Sequence, residues 1–102
     1  MIVVSVLYPK TSDSRFDLSY YLQKHTPMVR SLLTPLGMES LTLLKGAGTL
    51  EGTPAPFEVI AQLQFSTPEH LENAMSLHGA EIIGDIPNFS NVHPLIQMNE
   101  PL

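Results

Sequence analysis

A chain of 102 residues with 43% hydrophobic and 15% charged residues has the size and balance of one globular domain, taken as residues 1–102. A net charge of −5 with five Lys plus Arg leaves no basic stripe, which argues against nucleic-acid binding. The absence of cysteine excludes disulfides, thiol catalysis and sulfur-ligated metals. The opening MIVVSVLYPK has no basic n-region and only a short apolar run, so it reads as neither signal peptide nor membrane span, and a cytoplasmic location is expected.

Ile2 to Tyr8 is a β-branched apolar run ending at Pro9, which predicts a strand covered on both faces. Lys10 to Arg15 is a polar turn. Asp17 then offers an N-cap, and Leu18, Tyr21, Leu22 and His25 recur at i, i+3, i+4 and i+7. That stripe points His25 inward. Thr26-Pro27 interrupts the run, because proline removes an amide donor and crowds the preceding turn. A kink or restart with Thr26 as N-cap and Pro27 at N1 is expected there. The helix continues through Val29, Leu32 and Leu33 and ends near Pro35 and Gly37.

Glu39 to Lys45 reads as a second strand. Gly46 to Pro56 is a loop by composition, expected to be mobile and to act as a lid; its glycines fit neither phosphate-binding spacing. Phe57 to Phe65 alternates cleanly and is a third strand. Ser66-Thr67-Pro68-Glu69 starts a second helix, whose core stripe is Leu71, Ala74, Met75 and His78. Gly79 is expected to end or pinch that helix, leaving a short turn from Ala80 to Ile83 before Gly84-Asp85-Ile86-Pro87. Asn91 to Asn99 is the last strand.

This order is the split βαβ, or ferredoxin-like βαββαβ, arrangement: an α+β fold with two helices on one face of a four-stranded antiparallel sheet. Val4, Val6, Leu41, Leu43, Val59, Ala61, Leu63, Phe65, Ile96 and Met98 share the face suited to the helices. The opposite face carries Leu7, Leu44, Ile60 and Leu95 among polar residues and is too apolar for open water. A homodimer with the two sheets closing into a barrel is the expected cover.

The pattern F-D-x-x-Y-Y-x-x-x-H-x-P over Phe16–Pro27 resembles the opening motif of the EthD family, named for ethyl tert-butyl ether degradation. VSVLYP, Pro54-Ala55-Pro56-Phe57, Phe65, His78-Gly79-Ala80-Glu81 and Asp85-Ile86-Pro87-Asn88-Phe89 extend the likeness over nearly the whole chain. The resemblance implies the dimeric α+β barrel fold. It matches His25 to the family's motif histidine, and His78, Asp85 and Asn88 to its later motif. Proteins of the wider fold include cofactor-free monooxygenases, isomerases, and dehydratases or cyclases; other family members are accessory proteins.

Two functions follow as expectations. In one, an apolar small molecule is transformed without metal or organic cofactor, with His25 and His78 as catalytic acid/base groups. Tyr21, Asp85 and Asn88 would bind the ligand, and Asp85 would orient a histidine. The two histidines are expected to approach each other, since both precede breaks in inward helix faces. In the other, the same pocket carries a ligand unchanged, and whether the protein is an enzyme stays open. His25 also suits a plain core histidine with one hydrogen-bond partner. No metal-binding spacing links His25, His78, His93 and Asp85.

Overall fold

The computed structural model describes residues 1–102. Strands β1 (Ile2–Pro9), β2 (Met38–Lys45), β3 (Phe57–Phe65) and β4 (Leu95–Asn99) form one sheet of order β2-β3-β1-β4. Every pairing is antiparallel. Two helical regions pack on one face, giving the ferredoxin-like α+β fold. β1, apolar on both faces, takes a central position between β3 and β4. Its inward residues Ile2, Val4 and Tyr8 are buried, and Phe65 and Leu33 are sealed completely. Each such side chain contributes about 1.5–3 kcal/mol through burial alone.

The first helical region starts where expected: the Asp17 carboxylate accepts the Tyr20 amide at 3.0 Å. The expected break at Thr26-Pro27 does not occur. Leu18–Tyr20 is α-helical, Tyr21–His25 is π-helical and Thr26–Leu33 is α-helical again, with Thr26 in right-handed helical geometry (φ −68°, ψ −35°) rather than an N-cap. The Thr26 amide reaches back five residues to the Tyr21 carbonyl. Pro27 has no amide to give the Gln23 carbonyl and would crowd it in an α turn, so a wider turn absorbs the conflict. A 3-10 turn at Thr34–Leu36 then ends on Gly37, whose φ of +106° only glycine adopts without strain. A Cβ there would also stand 3.0 Å from His70 Cγ.

The second helix, Pro68–Gly84, has Thr67 as N-cap, accepting the His70 amide at 3.2 Å. Gly79 does not end it. That residue is buried mid-helix, where a single glycine weakens a helix without breaking it. A 3-10 turn, Ile86–Asn88, follows. β4 begins at Leu95 rather than Asn91, because Asn91 is occupied elsewhere: its Oδ1 accepts the Arg15 amide at 2.7 Å and its Nδ2 donates to the Asp13 carbonyl. The Asp17 amide also donates to the Phe89 carbonyl at 2.7 Å. These bonds lock the start of the first helix to the segment after the second.

The helices leave β4 largely uncovered: Ile96 is 54% exposed and Met98 66%. On the opposite sheet face, Leu44, Ile60, Leu7 and Leu95 align in register as one apolar row across all four strands. No helix is long and apolar enough to cross a membrane.

Candidate functional site

His25 occupies the last position of the π turn and is buried. Its Nδ1 lies 2.8 Å from Asp85 Oδ2. Asp85 stands at the end of the second helix, where the 3-10 turn starts. Its other carboxylate oxygen accepts the Tyr20 hydroxyl at 2.7 Å and the Asn88 side-chain amide at 2.9 Å. Burial pushes the Asp85 carboxyl up, but hydrogen bonds from Asn88, Tyr20 and His25 outweigh it and hold the group below the usual carboxylate value. The bond to the same carboxylate is the main force raising the Tyr20 phenol. A carboxylate can only accept, so Nδ1–H is the donor in the His25–Asp85 bond. In the neutral ring the lone pair then sits on Nε2.

The His25 ring lies near-parallel to Tyr21, with centroids 5.6 Å apart and planes at 18°, and packs on Phe89 at 4.5 Å. Tyr8, Phe16 and Tyr20 complete an aromatic cluster around them. On the sheet side His25 borders an internal cavity of about 90 Å³ between helices and sheet. Fifteen of its 17 lining residues are hydrophobic. Ile83, Ile86 and Ile96 also line an outer groove of about 360 Å³ beside β4, which marks the mouth.

His25 Nε2 has no partner within the chain, and no fully buried side-chain polar atom is left unpartnered. Nε2 therefore borders accessible space. An imidazole held on one side by a carboxylate, in the wall of an apolar cavity, is an arrangement that can serve acid/base chemistry or simply bind a ligand.

Of the residues singled out from sequence, the structure brings together Tyr21, His25, Asp85 and Asn88. It does not bring His78 to them. His78 Nδ1 lies 2.8 Å from Glu81 Oε1, one turn along its own helix, and the residue is not in the cavity wall. The partner expected for His25 from the second helix is supplied by Asp85 instead. Tyr20 and Tyr8 were not singled out. Tyr8 was legible as the inward residue at the end of β1, in phase with Val4 and Val6. Tyr20 lies beside the inward stripe, and its signal in the sequence is its place as the first tyrosine of the Phe16–Pro27 motif. No group of three His, Asp or Glu side chains is placed to hold a metal ion.

The EthD domain model matches residues 9–93. This chain belongs to the EthD family. The EthD-like protein of Ralstonia eutropha, known from its crystal structure, is 39% identical, with a TM-score of 0.88 over 97% of this chain and 89% of that one. An ethyl tert-butyl ether degradation (EthD) family protein of Bacillus halodurans is 19% identical, with a TM-score of 0.80 over 100% of this chain and 99% of that one. An antibiotic biosynthesis monooxygenase shares the fold at 10% identity, with a TM-score of 0.54 over 100% and 99% of the two chains. No protein of curated function matches the EthD chain by sequence.

Proposed function

We propose that this EthD protein binds an apolar small molecule between its helices and sheet and exchanges a proton with it through His25 Nε2. One observation carries the reading: a buried imidazole is hydrogen-bonded to a carboxylate on Nδ1, unpartnered on Nε2, and set in the wall of an apolar cavity. Asp85 fixes the tautomer and stabilises the imidazolium formed when the ring accepts a proton. Tyr20 and Asn88 are positioning residues that act through Asp85. Such a site suits an isomerase, dehydratase or cyclase that needs no metal or organic cofactor.

The alternative is an accessory carrier, favoured by the almost wholly apolar cavity wall. A degradation pathway for an apolar compound, as in the name of the Bacillus relative, accommodates either role. A second copy of this chain is the proposed cover for the apolar row on the open sheet face.

1-Indanone in deuterated buffer separates the two readings. A catalyst exchanges the hydrogens next to the carbonyl, and His25→Gln should slow that exchange about 100-fold or more. Binding without exchange in the wild type would leave the carrier.

A further inference from the structure

We infer that the hydroxyls of Tyr8 and Tyr21 form a two-donor receptor for one ligand oxygen in this cavity, so that the ligand is an apolar carbonyl compound rather than a hydrocarbon. The inference rests on the cavity reading above and adds the polar half of the ligand. Tyr8 closes the inward row of β1, and Tyr21 opens the π turn that ends on His25. Both line the cavity, and their rings meet edge to face with centroids 5.9 Å apart. Each tyrosine is only 2% exposed.

Neither hydroxyl is bonded within the chain, whereas the Tyr20 hydroxyl is taken by Asp85. Since no sealed polar atom lacks a partner, both hydroxyls open onto accessible space. A phenol set among hydrophobic side chains with only a small accessible surface is poorly hydrated, and a ligand oxygen supplies a bond that the chain does not. Burial pushes the Tyr21 phenol up to about 12 and the Tyr8 phenol higher still, with Tyr21 adding to the effect on Tyr8. Both therefore remain O–H donors at neutral pH.

The donors and the base belong to one chemistry. The Tyr21 ring stacks on His25, so a carbonyl oxygen on the hydroxyls places a neighbouring carbon within the His25 side of the cavity. When that C–H bond breaks, its proton goes to Nε2 and its electron pair moves onto the carbonyl oxygen. The enolate oxygen then receives stronger hydrogen bonds from the two phenols. Return of the proton from His25 to the same or a conjugated carbon completes the step with no other reactant.

1-Indanone and indane, which differ by one carbonyl oxygen, test this by equilibrium dialysis on the intact protein. The wild type should prefer indanone, and Tyr8→Phe and Tyr21→Phe should each weaken indanone about 2- to 10-fold while leaving indane unchanged. The infrared carbonyl stretch of bound indanone should move to lower wavenumber in the wild type and back in each variant. If a variant fails to fold, the wild-type preference and stretch decide alone. Equal affinity for the pair, or an unshifted stretch, overturns the two-donor receptor and leaves the cavity standing. Binding of neither compound overturns the cavity reading and this inference together.

Discussion

His25 Nδ1 and Asp85 Oδ2 are separated by 60 positions of sequence and by 2.8 Å in space. Each is delivered by an irregular turn: the π segment Tyr21–His25 on one side, the change from α to 3-10 at Asp85 on the other. The pair separates a structural from a functional account of His25. His25→Ala should cost on the order of 1–3 kcal/mol in urea unfolding, because Asp85 loses a donor and the core a ring. His25→Gln should fold with a smaller loss and yet fail to exchange deuterium into 1-indanone. Full exchange activity in the Gln variant would make His25 structural.

Asp85 makes stability depend on acid. Its folded carboxyl lies below the ordinary value of 3.8, so the contribution is fully present above that pH and is lost as pH falls through the lower folded value. Urea midpoints measured from pH 7 to pH 2 should drop below about pH 4 in the wild type. Asp85→Asn should flatten part of that drop. It should also be less stable at pH 7, since an amide in that place turns an N–H toward one of the donors Tyr20, Asn88 and His25. An unchanged acid profile would count against the carboxylate hub.

Pro27→Ala returns an amide to the first helix, free to bond the Gln23 carbonyl. The turn before it should tighten from π to α, at stability equal to or above wild type, and rotate His25 off Asp85. Nitrogen chemical shifts of the His25 ring report the loss of the Nδ1 bond. Wild-type shifts in the variant would show that aromatic packing, not Pro27, holds the π turn.

Leu44 and Leu95 are 48% and 58% exposed on the open sheet face, in one row with Leu7 and Ile60. Sedimentation equilibrium at micromolar concentration should give about twice the 11.2 kDa chain mass. Ile60→Asp should dissociate the pair or unfold it, since an unpaired buried charge costs several kcal/mol, roughly 3–5. A folded 11.2 kDa species in the wild type would remove the second copy from the proposal.

The segment 46–56 is tethered at its ends, by Gly46 amide to Glu58 carbonyl and Lys10 amide to Pro56 carbonyl, and its tip residue Leu50 is fully exposed. Amide exchange should be faster across the segment than across β3, and slowest within it at Thr49, Gly52 and Thr53, whose amides are bonded inside the tip turn. Equal protection in both would end the expectation of a mobile loop; no residue of the segment lines the cavity or its outer groove, so the lid role expected of it finds no support in the structure.

Local pattern carried most of the fold. The alternation of Phe57–Phe65, the Asp17 and Thr67 caps and the Gly37 stop each depend on residues a few positions apart, and all stand as read. The strand faces and the inward direction of His25 followed from the same periodicities. Tertiary structure decided what periodicity cannot express. Whether Pro27 breaks a helix or widens it depends on packing either side, and here the core gained by Tyr21 and Val29 keeps the helix continuous. His78 shares the inward phase of its helix, yet Glu81, one turn on, takes its ring. Tyr20 lies off the inward stripe, and it meets Asp85 where bonds joining Arg15 and Asp17 to Asn91 and Phe89 bring the two chain segments together. A spacing rule knows the angle at which a side chain leaves its own backbone. Which partner waits there is set by the chain that folds back to meet it.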